Sequence, residues 1–398
     1  LKIGLMGCGG RGTGAAVNAL NAEPNAKLVA MADAFPDQVE GSLKRLKDSK
    51  HADRIAVDAD HSFSGFEAYQ QLIDSGVDVV ILAATPHFRP RHLKAAVAAG
   101  KHVFCEKPVA VDAPGIRSVL ASTEEAEKKG LSLVSGLCWR YHFGVQETMK
   151  QVLDGAIGDV VTIQETYNTS MVGRSQPRQS DWTEMAYQLR NWYFFSWLSG
   201  DHNTEQHVHS LDKASWAMGD KPPLQAWGLG GRQVKNDPKY GNIYDHHAVV
   251  YEYEGGTRVY AYCRQQPGCW NSTEDYFFGT KGTCNVLNKY RIEGRDGEVA
   301  WRYDGPKCNM YDEEHKALFS AIRSGKPINN GRYMATSTML AIIGRMVNYT
   351  GQRIKWDDAM NSQELLAPAS YSWEADPPIM PDENGNYPIA MPGVTKFV

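Results

Sequence analysis

The chain has 398 residues, of which 42% are hydrophobic and 22% are charged. At about 100–200 residues per domain this length predicts at least two domains, and the composition is typical of a folded protein rather than a disordered one. The net charge of −4, from 42 basic and 46 acidic residues, excludes the broad basic surface that nucleic acids or anionic membranes require. The longest apolar runs are strand-sized, so we predict a soluble protein with domains at residues 1–137 and 138–398.

Cysteine usage and the start of the chain bear on the cellular compartment. The seven cysteines are scattered and include no CxxC pair, so free thiols are expected rather than a disulfide framework or a zinc ribbon. The chain opens at Leu1 directly on an apolar strand, with no visible signal peptide. We expect a cytoplasmic protein, and a periplasmic one if an export signal preceded Leu1.

A strand, a glycine-rich turn and a helix follow one another at the start of the chain. Residues 2–6 form a short apolar strand that runs into GCGGRG, residues 7–12, and then into an alanine-rich helical stretch. This order is the context that the dinucleotide-binding fingerprint requires. Gly7 permits the tight turn, Gly9 lets backbone approach a pyrophosphate, and Gly12 lets the helix pack close to the strand. The predicted cofactor-binding residues of this turn are Gly7, Gly9, Gly10, Arg11 and Gly12.

The second strand strengthens the prediction of a dinucleotide site. Residues 28–32 are apolar and end at Asp33, close to the offset of about 20–25 residues expected of the acid that binds the ribose. The alternative is that Asp33 only caps a loop. Ala34 and Phe35 follow with no basic residue beside them, which favours NAD over NADP, while Arg11 in the turn leaves NADP open.

Further strands predict a parallel, doubly wound sheet in the first domain. Apolar runs at 77–84 and 101–105 flank a helical segment near residues 90–99, and this alternation of strand and helix is typical of such sheets. Ligands bind at the carboxyl ends of the strands. The candidate cofactor-binding residues after these two strands are Thr85, Pro86, His87, Glu106 and Lys107.

Together these segments resemble a known family. Residues 83–110 with their Glu-Lys-Pro element, the glycine turn ahead of them, and SGLCWRYH at 135–142 are similar to the family of glucose–fructose oxidoreductase and inositol dehydrogenase, the Gfo/Idh/MocA family. The similarity continues to 322–329 and 344–362. The resemblance implies that the lysine matching Lys107 is held near the nicotinamide and the substrate hydroxyl, and that Glu106 lies beside the cofactor. A lysine there can help to take up the proton that a secondary alcohol loses when its hydride leaves.

The resemblance also implies the architecture of the second domain. It is expected to be an open, mostly antiparallel sheet with helices on one face, through which the chain forms a homo-oligomer, a dimer or a tetramer. The alternating segments 159–168, 247–254 and 257–264 agree with half-buried strands. Residues 332–350 form an apolar-striped helix, and residues 368–398, rich in Pro, Asp and Gly, look like an extended arm.

Residues 181–220 carry the second part of the family pattern, an acid four residues before a histidine and an aspartate three residues after it. Matched onto this chain, these are Glu205, His209 and Asp212. In the family the histidine is the general acid/base and the acid binds substrate hydroxyls. On a helix, Glu205 and His209 would share a face. The chain departs from the usual pattern, because glutamate replaces aspartate and His207 stands where glycine is common, which puts the proton relay in doubt and suggests altered chemistry.

Histidine and aromatic residues of this region have alternative interpretations. His202, Glu205, His207 and His209 are zinc ligands by type, but His207 and His209 would point in different directions on a helix, so we predict no metal. The aromatic block of residues 182–197 is mostly core, while flat aromatic faces also suit a sugar. The candidate substrate-binding residues are Arg140, Tyr141, Tyr187, Arg190, Trp192, His207 and Asp212.

Three functions fit this sequence. The leading hypothesis is an NAD-dependent oxidoreductase that takes a hydride from a ring carbon of a sugar or cyclitol, with Lys107, His209 and Glu205 as catalytic residues. The alternative, implied by relatives that retain NAD, is redox-neutral glycoside hydrolysis by oxidation, elimination, hydration and re-reduction. It needs an additional base, for which Glu205, His207 and Tyr187 are candidates. A non-catalytic sugar sensor is the third hypothesis, and the presence of Lys107 and His209 argues against it.

Overall fold

A computed structural model describes residues 1–287 and 289–398, which divide into two compact units. The first unit consists of Leu1–Ala110, Arg117–Tyr141 and Cys308–Ala335. The second consists of Val111–Ile116, His142–Lys307 and Thr336–Val398. This division departs from the continuous cut predicted after residue 137, because a segment from the C-terminal part of the chain packs into the first unit. Asn18 and Asp312, for example, hydrogen-bond each other at 2.7 Å within that unit.

The first unit is built on a parallel sheet. Its strands are β1 (Lys2–Met6), β2 (Lys27–Asp33), β3 (Ser62–Ser64), β4 (Val79–Leu82), β5 (His102–Cys105) and β6 (Leu133–Ser135). Within the described residues they form a six-stranded sheet in the order β3-β2-β1-β4-β5-β6, and all neighbouring pairs are parallel. Every residue of β4 is buried, as expected of a strand that is covered on both faces.

Helices flank this sheet. They are α1 (Gly10–Ala22), α2 (Pro36–Lys47), α3 (Ala68–Asp74), α4 (Arg89–Ala98), α5 (Ala113–Lys128) and α10 (Met310–Ser324). The buried residues of α1 include Ala15, Ala16, Ala19 and Leu20, which recur at helical spacing and so present one apolar face to the sheet. The alternation of strands and helices is the predicted doubly wound fold, and that prediction is confirmed.

The second unit contains a larger sheet. Its strands are β7 (Val160–Thr169), β8 (Gln225–Gly231), β9 (His246–Glu252), β10 (Arg258–Gln265), β11 (Ser272–Gly279), β12 (Gly282–Asn285), β13 (Arg291–Gly294), β14 (Val299–Arg302) and β15 (Ile354–Lys355). Among the described residues they form a nine-stranded sheet in the order β14-β13-β12-β11-β7-β10-β9-β8-β15. Only the β7–β10 pair in this described sheet is parallel, so the predicted mostly antiparallel sheet is confirmed.

Helices cover one face of the second sheet. They are α6 (Phe143–Leu153), α7 (Glu184–Arg190), α8 (Ser196–Ser199), α9 (Val208–Ala217), α11 (Gly331–Thr350) and α12 (Trp356–Met360). Helix α9 packs on β7 and β11, and the Tyr251 hydroxyl of β9 donates to the Leu340 carbonyl of α11 at 2.7 Å. Along β10, Val259, Ala261 and Cys263 are buried on this face, while the residues between them point to the other face.

The arm predicted at residues 368–398 has no helix or strand in the structure. Part of it packs on α7 of the same unit. The Tyr387 hydroxyl donates to Glu184 at 2.6 Å and the Gln188 amide donates to the Ile379 carbonyl at 2.6 Å. The arm therefore packs on and stabilises the helix that carries Tyr187, one of the predicted substrate-binding residues.

Two global expectations can be compared with the structure directly. All seven cysteines are free, and five of them are buried, as expected from their scattered spacing. Among the described residues, no helix combines the length and the apolar character needed to span a membrane.

Candidate active site

The predicted cofactor residues of the first unit lie along one edge of its sheet. The glycine turn follows β1, Asp33 ends β2, Thr85 follows β4, and Glu106 follows β5. These strands are neighbours and run parallel, so their carboxyl ends meet at the same edge. The sheet order places β1 between β2 and β4, which is the point where the order reverses and where ligands bind in doubly wound folds.

The glycine turn has two tightly packed positions and two open ones. Gly7 has a φ of +96°, and a Cβ there would clash with the Ala84 amide, while a Cβ at Gly12 would clash with the Gly7 carbonyl. A Cβ at Gly9 or Gly10 would meet nothing within 4 Å. The open side coincides with the start of α1, whose N-cap Gly9 offers no capping side chain. Free amides at a helix N-terminus beside open space fit the pyrophosphate of a dinucleotide.

Asp33 is held against this turn by two amides. Its Oδ2 accepts the Cys8 N–H at 2.7 Å and its Oδ1 accepts the Phe35 N–H at 3.0 Å. Burial raises the pKa of Asp33, and these two hydrogen bonds oppose that shift. Each carboxylate oxygen keeps a further lone pair, so the group can accept from ribose hydroxyls while it stays fixed.

Arg11 pairs with a carboxylate after β5. Its Nε donates to Glu106 Oε1 at 2.5 Å, its Nη2 lies 3.8 Å from Glu314 Oε1, and its guanidinium stacks over Tyr311 at 4.8 Å. Glu314 is fully buried, and burial, with a smaller contribution from Glu106, raises the pKa of its carboxyl. Sequence reasoning missed Glu314 because it lies in the run DEEH, which is typical of a solvated helix face.

The Glu-Lys-Pro element is shaped by close backbone packing. The Lys107 N–H donates to Glu106 Oε2 at 3.3 Å, and the Pro108 carbonyl accepts from Arg89. A Cβ at Gly136 would lie 2.7 Å from Glu106 Oε2, so the glycine of the SGLCWRYH motif leaves room for this carboxylate. On the β4 side, Thr85 leads into a short turn that contains Pro86 and His87.

In the second unit the predicted catalytic histidine follows a π-helix. The segment Asn203–His207 has π geometry and continues into α9. Glu205 and His209 are half-buried, whereas His207 between them is buried. Glu205 and His209 therefore lie toward the accessible side of this segment, and His207 lies toward the interior. Single π-turns within helices are frequent at functional sites, and this one had not been predicted.

The tautomer of His207 follows from its neighbour. The Asn203 amide nitrogen donates to the Ala341 carbonyl at 2.8 Å, so the Asn203 Oδ1 that faces His207 Nδ1 at 3.1 Å is an acceptor. His207 Nδ1 must then carry the proton, which leaves Nε2 with a lone pair. No described residue hydrogen-bonds to Nε2, although the ring is 1% exposed. Burial lowers the pKa of His207 well below its usual value, so the imidazole is a neutral acceptor.

A buried carboxylate supports the start of this segment. Asp201 has a φ of 75°, a strained conformation for a residue other than glycine. Its Oδ2 accepts from the Tyr349 hydroxyl at 2.6 Å and the Tyr244 N–H at 2.9 Å, and its Oδ1 lies 2.8 Å from His202 Nδ1. Nearby His247 contributes most to lowering the pKa of Asp201 well below its usual value, against the effect of burial.

This cluster is also the group of metal-ligand types that the structure brings together. Asp201, His202 and His247 place one donor atom each within 4.8 Å of the others, whereas the sequence had suggested a different set. That set was His202, Glu205, His207 and His209. Asp201 Oδ1 lies 2.8 Å from His202 Nδ1 and Asp201 Oδ2 accepts from the Tyr349 hydroxyl, while His247 Nε2 lies 3.4 Å from Asp201 Oδ2 without a hydrogen bond.

The predicted substrate residues near the aromatic block form their own contacts. Tyr187 is buried, and the Arg178 guanidinium lies 4.0 Å from its ring centroid. Arg190 lies over Trp182 at 5.0 Å. Trp192 is half-buried and meets Tyr193 edge-on at 5.6 Å. Much of this block is core, and Trp192 keeps the larger accessible surface of the two aromatic candidates.

The remaining candidates are dispersed. Arg140 stacks on Tyr333 at 3.9 Å and the Tyr141 hydroxyl donates to Asn330 at 2.6 Å, all within the first unit. This placement differs from the predicted second domain. Asp212 is buried in α9 and accepts from the Ser337 hydroxyl at 2.8 Å.

Three buried charged residues of the second unit escaped sequence reasoning. Lys213, Asp275 and Glu165 are each 0% exposed. The sequence feature that could have revealed the two acids is the alternation of side chains along a strand. Glu165 lies on the same strand face as buried Ile163, and Asp275 lies on the same face as buried Phe277. An acid at a core-facing strand position indicates a buried partner, and here the partner is Lys213, whose Nζ lies 3.2 Å from Asp275 Oδ2.

The first unit and the chain as a whole can be compared with known proteins. Residues 1–134 match the model of the GFO_IDH_MocA family, described as an oxidoreductase family with an NAD-binding Rossmann fold. The chain is 26% identical over 212 residues to the 2,7-anhydro-N-acetylneuraminate hydratase of Escherichia coli, covering 53% of this chain and 51% of that protein. It is 28% identical over 193 residues to an inositol 2-dehydrogenase of Salmonella typhimurium, covering 48% and 52%. The chain thus spans about half the length of the curated relatives it matches.

A solved structure extends the likeness of fold to nearly the whole chain. The aldose–aldose oxidoreductase of Caulobacter crescentus superimposes with a TM-score of 0.70 at 20% identity, covering 89% of this chain and 99% of that one. Both halves of the predicted architecture are therefore shared with a known protein. The glycine turn, Asp33 and the Glu-Lys-Pro element lie at one sheet edge of the part of the chain, residues 1–134, that matches the Gfo/Idh/MocA oxidoreductase family.

Proposed function

We propose that this chain is an NAD-dependent oxidoreductase that transfers a hydride between nicotinamide and a hydroxyl-bearing ring carbon of a sugar or cyclitol. The observation that carries the proposal is the edge of the first sheet, where the open glycine turn, Asp33, Glu106 and Lys107 follow neighbouring parallel strands. The match of residues 1–134 to an NAD-binding oxidoreductase family and the similarity of the chain to an inositol 2-dehydrogenase support the substrate class.

The proposed cofactor is NAD rather than NADP. NAD, when bound, supplies the hydride acceptor and donor. The fixed carboxylate of Asp33 suits two ribose hydroxyls and would repel a 2′-phosphate. Arg11 was the residue that left NADP as an alternative cofactor, and its Nε donates to Glu106 Oε1 at 2.5 Å. We expect Asp33→Ser to weaken NADH binding by about 10- to 100-fold, because a charged hydrogen bond is lost. The difference in affinity between NADH and NADPH should become smaller. Both dissociation constants are measured by fluorescence titration.

Each unit contributes candidate catalytic residues. In the first unit Lys107 is proposed to take up the hydroxyl proton, beside the carboxylate that its own amide contacts. In the second unit His209 is proposed as general acid/base and Glu205 as the residue that binds neighbouring hydroxyls, since both are half-buried at the π-helix junction. Lys107→Ala with near-full activity would refute the first of these assignments.

A redox-neutral glycoside hydrolase is the alternative, and His207 is the observation that favours it. Elimination requires a second base to take a proton from carbon, and His207 Nε2 is an acceptor without a described hydrogen-bond partner, although burial lowers the pKa of His207 and so weakens the imidazole as a base. The similarity to a hydratase agrees with chemistry in which water is added. Glu205 and Tyr187 were the other candidates for this base, and Tyr187 is the less suitable because it is buried against Arg178.

One panel separates these functions. Purified protein is incubated with free sugars, cyclitols and nitrophenyl glycosides, and both NADH at 340 nm and released nitrophenol are recorded. Stoichiometric NADH from a free sugar or cyclitol supports the oxidoreductase. Nitrophenol release without net NADH, from protein that retains bound NAD, supports the glycosidase. Neither signal across the panel would refute both and leave the sugar sensor.

A further inference from the structure

A buried ion pair lies beneath the helix that carries His209. Lys213 of α9 and Asp275 of β11 are both 0% exposed, and Lys213 Nζ lies 3.2 Å from Asp275 Oδ2. Glu165 of β7 is directly opposite Asp275 in the antiparallel β7–β11 pair and is equally buried. Two carboxyl groups and one ammonium therefore meet at the centre of the second sheet, away from solvent.

The ammonium of Lys213 reaches back toward His209. Lys213 Nζ donates to the main-chain carbonyl of His209 at 2.6 Å. That carbonyl lies one turn earlier, at the junction where the π-helix ends and α9 begins. Since Asp275 of β11 holds the same ammonium, the junction is connected to this central strand through the Lys213 side chain.

The charges of this cluster can be balanced in one way. Burial, reinforced by Asp275, raises the pKa of Glu165 well above its usual value, and Lys213 opposes the rise in the pKa of Asp275. Glu165 is then the carboxyl that carries a proton, and Lys213 with Asp275 forms the ion pair. A buried pair costs desolvation energy that a well-packed apolar pair would avoid, so stability alone is a weak reason for it.

We propose that Lys213 is a positioning residue: fixed by Asp275, it holds the His209 carbonyl and thereby sets the place of the His209 imidazole. This inference rests on the proposed function, in which His209 is the general acid/base. Misplacement of a reacting group by about 1 Å costs up to about 100-fold in rate, so a tether at this carbonyl would act on kcat rather than on substrate binding.

The test uses three variants of the full chain, Lys213→Met, Asp275→Asn and the double variant. Lys213→Met is expected to lower kcat at least about 10-fold with KM changed less than about threefold, and to lower the melting temperature because Asp275 is left unpaired. Asp275→Asn keeps the lysine and an acceptor for it, so kcat should stay within about threefold of wild type. The double variant removes both charges and should regain stability over Lys213→Met while kcat stays low. If kcat recovers together with stability, the role is structural and the proposal is overturned.

A second readout does not depend on turnover. With ¹⁵N-labelled histidine, the His209 ring signals are identified by their loss in His209→Gln and followed through a pH titration in each variant. Lys213→Met should move the His209 midpoint to higher pH, because a nearby ammonium disfavours the imidazolium, while His61 in the first unit stays unchanged. A His209 midpoint unaffected by Lys213→Met overturns the proposal even if wild type is active. A shifted midpoint supports it even if the panel of sugars reveals no turnover, in which case only the proposed function fails.

Discussion

His315 shows how one buried side chain sets the response of the fold to acid. The ring is 0% exposed and stacks on Phe104 with 4.0 Å between centroids. Burial lowers its pKa from 6.5 to about 3, so it is neutral in the folded protein. In the unfolded chain it binds a proton below pH 6.5. The free energy of unfolding must then fall as pH drops from about 6.5 to about 3, by about 1.4 kcal/mol per pH unit for this histidine.

His315→Phe should remove that contribution and keep the stack on Phe104. Between pH 7.5 and pH 5.0 the wild type is expected to lose about 2 kcal/mol more than the variant, measured by urea unfolding at both values. His92, also buried and with its pKa lowered to about 3, stays as a shared background in both proteins. Phe319→Leu changes a buried ring of the same helix that does not titrate, and it is the control that should leave the slope unchanged. Identical slopes for wild type and His315→Phe would contradict the prediction.

Residues of the site could be predicted where the backbone demands a residue type. Close packing of the turn requires glycine at Gly7 and Gly12, and Asp33 lies at the end of a strand, so the sequence alone was enough to predict where these three residues lie in the fold. Glu314 and Lys213 could not be found in this way. Each gains its meaning from a partner distant in sequence, Arg11 for Glu314 and Asp275 for Lys213, and no local pattern encodes such a pair.

The π-helix is the element on which the candidate site of the second unit depends. A π-turn contains one residue more than an α-turn over the same rise, and here it spans Asn203–His207. Deletion of Gln206 should convert the segment to regular α-helix and shorten the spacing of Glu205 and His209 from four residues to three, which changes their angular and axial separation on the helix. We expect kcat to fall by at least about 100-fold, with the far-UV circular dichroism preserved.

Gln206→Ala is the matched control for this deletion. It removes the side chain, which accepts from Gln265 at 3.0 Å, and keeps the length of the segment. The substituted protein should retain most of its activity. If the deletion and the substitution impair kcat equally, the π geometry has no role in placing Glu205 and His209.

Elements were predicted from sequence where the period of hydrophobicity was regular. The segment 257–264 alternates cleanly, and β10 is Arg258–Gln265 in the structure. The four-residue spacing of Glu205 and His209 predicted an ordinary helix and did not reveal the π-turn. One extra residue changes the hydrophobic pattern only slightly, and the many polar residues of this segment already make that pattern irregular. Strand β6, only Leu133–Ser135, was too short to produce a period.

At the scale of the whole molecule, one face of the second sheet carries large apolar side chains that are exposed. On β10 and β11 the side chains opposite the buried face include Tyr262 and Phe278, which are 36% and 39% exposed, and Leu229 of β8 is 69% exposed. The registers place all three on this same face. Exposed large apolar side chains grouped on one sheet face are typical of a contact surface. We therefore expect a second copy of the chain to cover it in a closed, symmetric homo-oligomer.

This expectation can be tested by mass. In multi-angle light scattering at tens of micromolar, wild-type protein should have a mass of two or four times 44.2 kDa. The double variant Leu229→Lys and Phe278→Lys buries two charges if the face is covered, which costs several kcal/mol, so it should run as a monomer. Leu365→Lys, at a 65% exposed position outside this sheet, should leave the mass unchanged. A monomeric wild type, or a double variant that keeps the higher mass, would show that this face does not hold the oligomer together.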